Sequence, residues 1–378
     1  MYFLLKMNYI LGMQKKYGSI IEKAAFLTLF LFLSGCINPF MEQILGRKEN
    51  LKAGSSTEEE PDEPDVPGTG DIDAPFLITN PVELQNIGSG TEGWDIDKHY
   101  KLTTDITLSA SGSNNWTPIG DSGAPFTGSL DGNGKTISNM TINSSGFDYQ
   151  GMFGYISGNG IDTGIVKNLQ LENCSVSGVN NSGAITGYND GVIQNCAVSG
   201  TVSGISMVGG IAGQNSGTIQ NCYSEVNSAT GNYTGAVTGR NMGTIQYCYT
   251  TGNIGNTGSS NFVGGVAGQN TGTIRNCFAL NSNISASASF GRITGSNTYS
   301  LSGNYGLINM TGNNNPAFSW PGTGLAGIDG SDLEVSAVKS QTVWTNANFD
   351  FTNIWKWTDN KMPHLFADDV RDWPSHIQ

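Results

Sequence analysis

Four cysteines close the same short phrase. GVIQNC ends at Cys196, GTIQNC at Cys222, GTIQYC at Cys248 and GTIRNC at Cys277, in steps of 26, 26 and 29 residues. Thiols so arranged offer cross-linking or metal binding. A period of this length marks stacked supersecondary units, none of which can bury its apolar face alone. The cysteines then lie over one another at the inter-strand spacing of ~4.8 Å. A disulfide requires a Cβ–Cβ distance of about 3.5–4.5 Å. Zinc is equally poorly served, because there is no CxxC pair and His99, His364 and His376 all lie outside the repeats. The expectation is therefore buried free thiols acting as small apolar side chains, with no metal and no cofactor.

The other reactive side chains are sparse. Between residues 175 and 300 the acids are Asp190 and Glu225, and the bases are Arg240, Arg275 and Arg292. Asp105, Asp121, Asp131, Asp148 and Asp162 come earlier, and Asp131-Gly132 and Asn133-Gly134 read first as turn pairs. Glycan-cleaving chemistry needs clustered carboxylates on one face. These acids read instead as turn formers and solvated charges, so no catalytic residue is assigned. The position after the cysteine is more suggestive: it holds Ala197, Tyr223, Tyr249 and Phe278. If the cysteine points inward, the next side chain points outward. Tyr223, Tyr249 and Phe278 then form a candidate ligand face, since flat apolar platforms suit sugar rings and peptide side chains. The competing reading is an aromatic ladder that only stabilises stacking.

These positions must be carried by a repeating element. Each unit has an upstream phrase, GAITGYN at 183–189, GGIAGQN at 209–215, GAVTGRN at 235–241 and GGVAGQN at 264–270. Gly and Asn punctuate β-rich segments of four to six residues, without helical spacing. Both residues tolerate positive φ at corners. Three strands and three corners per unit predict an all-β fold, a right-handed parallel β-helix of about six to seven coils with N- and C-terminal caps. The phrase extends upstream through GIVKNL and KTISNM, giving an interior ladder of Met140, Leu169, Cys196, Cys222, Cys248 and Cys277. Cys174 falls off it. Ile193, Ile219, Ile245 and Ile274 should make a second interior column. Asn195, Asn221 and Asn276 should stack at the corner and bond coil to coil, with Tyr247 as one break.

Charged residues make up 13% of the chain against a usual ~25%, and Gly accounts for 52 of 378 positions, which fits a solenoid with many corners. Residues 1–35 read as an export signal, with basic Lys6, Lys15, Lys16 and Lys23 before the ten-residue apolar run 24–33. That run is short for a membrane span. Leu33-Ser34-Gly35-Cys36 resembles the bacterial lipobox, whose cysteine is lipidated, and so makes Cys36 the anchor. Removing residues 1–35 takes away four Lys and one Glu and moves the net charge from −13 to −16, which disfavours nucleic acid as a partner. Residues 36–75, with SSTEEEPDEPDVPGTGD, read as an acidic Pro-rich tether. Residues 76–130 read as an N-terminal cap and lead-in strands, with a helix start at Asn80-Pro81. Residues 131–300 are the repeats. Residues 301–378 are an aromatic-rich C-terminal cap, in which Trp344, Phe349, Phe351, Trp355 and Trp357 are placed to plug the open end.

The successive units GMFG, GIVKNLQLENCSVSG and GGIAGQNSGTIQNCYS resemble the GLUG motif repeat of bacterial surface lipoproteins, as do the lead-in DIT…NWTPIG…FTGSLDGNGKTISNMTI and the closing W…P-x-L-F. The likeness covers roughly residues 76–366. It implies a right-handed parallel β-helix and a cell-surface, adhesin-like role, with no shared catalytic residues. Some immunoglobulin A peptidases of that family carry an HExxH zinc motif in another domain; this chain has none. The leading expectation is a protein at the outer membrane or cell surface of a diderm bacterium. It would bind a glycan or a host or neighbour-cell protein without catalysis. The alternatives are a β-helix carbohydrate-active enzyme and a structural spacer in an envelope assembly.

Overall fold

The computed structural model describes residues 68–109, 114–228, 231–255 and 261–378. Cys36, the signal at 1–35 and most of the tether at 36–75 lie outside the described residues. The rest is a parallel β-solenoid of about nine turns, two or three more than the repeat count predicts. Nine parallel strands stack in the order Phe76–Ile78, His99–Leu102, Ser129–Asp131, Ile165–Lys167, Val192–Gln194, Thr218–Gln220, Thr244–Gln246, Thr273–Arg275 and Ser300–Ser302. We call this the isoleucine sheet. Its inward column runs Phe76, Tyr100, Leu130, Val166, Ile193, Ile219, Ile245, Ile274, Leu301. The extra coils escape the repeat count because aromatic and leucine side chains replace isoleucine at the ends, where the phrase itself has decayed.

One coil shows the plan. Thr218–Gln220 leads through a corner to Tyr223–Ser228, then Tyr233–Gly235, then Thr238–Asn241, and Thr244–Gln246 begins the next coil. The four segments, one more than the three expected per unit, belong to the isoleucine sheet, a thirteen-stranded tyrosine sheet, a five-stranded sheet and a six-stranded asparagine sheet. The corner before each cysteine is left-handed, with φ of 54° at Asn195, 52° at Asn221, 55° at Tyr247 and 54° at Asn276. Asn adopts this region readily, which explains its place in the phrase. The glycine of each upstream phrase has a packing reason. A Cβ on Gly239 would stand 2.4 Å from the Met207 carbonyl carbon, so the strands Thr238–Asn241 and Ser206–Gly209 approach this closely only where there is no side chain.

The cysteine file is continuous from Leu169 onward. Tyr223 N donates to Cys196 O, Tyr249 N to Cys222 O and Phe278 N to Cys248 O, and all four cysteines are fully buried. Met140 is a correction. Thr141 pairs with Ser175, so Met140 lies under Cys174 and not under Leu169. KTISNM copies the wording of the repeat but sits in the tyrosine sheet, where Ile137 pairs with Leu171. The true counterpart of Ile193 in that coil is Leu130. The turn Asp131-Gly132-Asn133-Gly134 inserts residues at this corner and displaces the phrase by one sheet.

The asparagine ladder also differs from expectation. Of the corner residues, Asn195 Nδ2 reaches Asn168 Oδ1 at 3.1 Å and Asn168 Nδ2 reaches Asp131 Oδ1 at 3.0 Å. The long ladder is built from the last residue of each upstream phrase. Asn189 donates to Asn215 at 2.7 Å, Asn215 to Asn241 at 2.8 Å, Asn241 to Asn270 at 2.8 Å and Asn270 to Asn297 at 2.7 Å. Asn189, Asn215, Asn241 and Asn270 are fully buried. Each amide both donates and accepts, so the file satisfies itself coil after coil.

Candidate functional site

The stripe expected to face ligand stands on the outer surface of the tyrosine sheet, but it is not exposed. Tyr223, Tyr249 and Phe278 are 0%, 1% and 0% exposed. The reason lies at the end of the chain. The aromatic segment does not plug the open end of the solenoid; its aromatic side chains lie along this lateral sheet. Trp344 stacks on Phe278 at 4.1 Å between ring centres, and Trp355 lies 5.6 Å from Tyr249. Tyr223 and Tyr249 stack at 4.9 Å with planes 5° apart. A row of rings on an outer face leaves a large apolar strip in water, and a second layer covers it. The two phenols are bonded within that layer: Tyr249 Oη donates to Pro363 O at 2.7 Å, and Tyr223 Oη donates to Asp369. Burial pushes both phenols well above their ordinary range.

Arg371 fastens the layer. Its guanidinium bonds Asp369 at 2.5 Å, Glu172 at 3.2 Å and also Glu225, and it lies 5.2 Å over the Tyr223 ring. Burial holds the Glu225 carboxyl above its usual value, and Arg371 pulls it part of the way back. These carboxylates share one cation and are spent on attachment. The earlier acids serve the backbone: Asp105 accepts from Thr136 N, Asp121 from Gly123 N and Ala124 N, and Asp148 from Asn180 N. Asp131 takes Asn133 N and an ion pair with Lys167 at 3.5 Å. Asp162 and Asp190 are exposed. Arg292 is fully buried and donates to Asp329 O, Gly306 O and Gly330 O.

The five described cysteines are buried free thiols. Burial raises the Cys174 thiol to about 12 and carries Cys222 and Cys277 well above the ordinary range. At Cys248 burial also raises the thiol, and hydrogen bonds from Cys222 and Cys277 outweigh it and lower it. Among the described residues no group of His, Cys, Asp and Glu is placed to hold a metal, and no helix is long and apolar enough to cross a membrane.

What sequence reading missed is a polar groove beside the covered stripe. This concavity, about 640 Å³, has a floor from three successive coils and a wall from the C-terminal residues. On the floor, Ile254 pairs with Ile284 and Asn283 with Thr311. The isoleucines turn inward, so Asn253, Asn283 and Thr311 face the groove. Thr311 Oγ1 donates to Asn283 Oδ1 at 2.7 Å, and Ser282 Oγ donates to Asn253 Oδ1. His376 forms the wall, held by Leu280 O at 2.8 Å, and its own carbonyl accepts from Asn309 Nδ2 at 3.1 Å. A second concavity of about 400 Å³ shares Asn253, Ser282 and His376 and continues toward Glu225 and Asp372. The only sequence signal was a run of Asn and Ser in the decaying repeats, where nothing marks concavity.

Elsewhere the outer faces carry ordered columns. Gln220 Nε2 donates to Gln194 at 2.9 Å, Gln246 Nε2 to Gln220 at 2.6 Å and Arg275 Nε to Gln246 at 2.7 Å. Tyr155 and Tyr188 stack at 4.4 Å, half-buried, on the asparagine sheet.

The arrangement defines a parallel β-solenoid with a polar groove between its last coils and its C-terminal residues. No protein-family model matches the chain. A solved structure of a "putative immunoglobulin A1 protease" from Bacteroides ovatus superposes with a TM-score of 0.62 at 23% identity, over 79% of this chain and 94% of that one. At that identity the likeness shows the fold. Halomucin of Haloquadratum walsbyi is 39% identical over 141 residues, 36% of this chain and 2% of halomucin. A "Putative Gly-rich membrane protein" of Evansella cellulosilytica is 38% identical over 138 residues, 35% of this chain and 15% of that protein. The chain thus spans a small part of both relatives.

Proposed function

We propose that this protein is a lipid-anchored cell-envelope protein that displays a rigid GLUG-type β-helix for non-catalytic, adhesin-like binding of a glycan or protein ligand. The observation that carries the reading is the disposition of charge. Around the groove the acids are consumed by Arg371 or, for Asp372, by Lys361 at 2.5 Å. That leaves a polar contact surface whose acids are already paired, which binding can use, whereas hydrolysis calls for a free acid–base pair. The names of the two relatives, halomucin and a membrane protein, support an envelope location. The rod is read as right-handed, as parallel crossovers are. The helix Pro81–Asn86, which Asn80 Oδ1 caps at 3.0 Å to Val82 N, and the stretch around Trp320 and Arg292 serve as its end caps.

The anchor is Cys36, and the acidic tether holds the rod away from the bilayer. The test is metabolic labelling with palmitate, followed by protease shaving of intact cells. Label is expected on the wild type and absent from Cys36→Ala, with the solenoid cut or released from whole cells. Label retained by Cys36→Ala, or a solenoid inaccessible on whole cells, overturns the reading.

A further inference from the structure

We infer that the groove between the last coils and the C-terminal residues is a binding site for a neutral, extended glycan lying along the rod axis. The inference rests on the surface-binding reading above and names the ligand class.

The argument starts from what the lining offers. The larger concavity contains a single titratable side chain, His376, whose Nε2 is already held by Leu280 O. The charges where the groove continues are paired: Glu225 with Arg371, and Asp372 with Lys361. A charged ligand would find no unpaired opposite charge there. A peptide partner wants buried aromatic or aliphatic anchors, and Pro374 is the sole large apolar side chain of the lining. What remains is amide and hydroxyl. An Asn amide carries a donor and an acceptor side by side, and a Ser or Thr hydroxyl does both. That matches the paired hydroxyls of a sugar.

The second part of the argument is periodicity. The floor residues come from successive coils, Asn227 beneath Asn253, Asn253 beneath Asn283, and Asn283 beneath Thr311. The spacing is ~4.8 Å per coil, close to the advance of one sugar unit in an extended chain, so successive units meet equivalent contacts. The floor is also pre-organised. Asn253 N is held by Asn227 Oδ1 at 2.8 Å, and Asn283 Oδ1 takes both Thr311 and Asn314 N, the latter at 2.9 Å. Binding therefore orders little that is not already ordered.

The test uses the full chain in detergent on an array of neutral and acidic oligosaccharides, with affinities then measured by calorimetry. Two variants probe the groove: Ser282→Ala removes a floor hydroxyl, and Asn253→Trp fills an exposed floor position with bulk. Tyr188→Ala, on a different lateral sheet, is the control, and thermal melts confirm that each variant is folded. At least one neutral oligosaccharide is expected to bind saturably. Asn253→Trp should abolish binding and Ser282→Ala should weaken it about tenfold, the worth of one or two uncharged hydrogen bonds, while Tyr188→Ala should leave it unchanged. If neutral glycans bind both groove variants as well as wild type, or if acidic glycans bind better than neutral ones, the groove assignment falls and the surface-binding reading stands. If no glycan binds but a protein ligand does, the result is the same. If nothing binds, both fall.

Discussion

The repeats and the C-terminal segment solve the same problem in opposite ways. In the repeats, a buried polar group is satisfied by its own copy one coil away. Asn215 needs Asn241, and Asn241 needs Asn270. In the C-terminal segment nothing is repeated. Trp344 stacks on Phe278, Trp355 lies against Tyr223 and Tyr249, and Asp369 joins Tyr223 to Arg371. A self-copying ladder spreads load evenly and tolerates an added or lost coil. A one-off layer is specific to its position and fails as a unit. That layer also reaches several coils, from Glu172 through Glu225 to Leu280, so it clamps together units that otherwise touch only their neighbours.

The largest expected effect falls on the clamp. Trp344 is fully buried, stacks on Phe278 and donates its indole N–H to Val338 O at 2.7 Å. Trp344→Ala should cost about 3–5 kcal/mol, read by denaturant unfolding, and should increase binding of a hydrophobic dye as the stripe opens. A loss under about 1 kcal/mol would mean that the outer layer packs loosely and that the stripe is available after all.

The ladder should respond less. Asn241→Ala removes a donor to Asn270 and an acceptor of Asn215 in a dry column. The expected cost is about 1–3 kcal/mol. Asn297→Ala, at the half-buried end of the same ladder, should cost less, because water can replace the lost partner. Equal losses at the two positions would show that the ladder is not protected from solvent and would weaken the contrast with the clamp.

The sequence declared the two regions unequally. Cys196, Cys222, Cys248 and Cys277 form a single file and the isoleucine column lies beside them, because repetition in the chain becomes stacking in space. Met140 misled for the same reason: a matching phrase carries no record of the extra corner residues at 131–134 that move it into another sheet. The Asn189–Asn297 ladder was written in every upstream phrase, yet Asn at a corner and Asn in a buried ladder look alike without a fold. The outward direction of Tyr223, Tyr249 and Phe278 followed from alternation. Their burial did not, because the covering residues lie some 70–150 positions away and share no period with them. The groove was illegible on the same ground, since its floor and its wall meet only in three dimensions.

The smallest effect should come from the Glu225 carboxylate that meets Arg371 in the clamp, and its sign is informative. Glu225 has its carboxyl raised by burial, with Arg371 offsetting part of the rise. A carboxyl raised in the folded state binds its proton more tightly there than in the unfolded chain. Its contribution therefore favours folding in acid and is lost as pH rises from the unfolded value of about 4.3 through the folded one. Glu225→Gln removes that titration while keeping an acceptor for Arg371, which also retains Asp369 and Glu172. The variant should lie within about 1 kcal/mol of wild type at neutral pH. Relative to wild type, it should gain stability as pH rises through the window above 4.3. Thermal melts of both proteins across that window decide the matter. A wild type that instead gains on the variant with rising pH would make the Glu225–Arg371 attraction outweigh desolvation. The clamp would then be held by charge as well as by rings, and its contrast with the uncharged ladders would be sharper still.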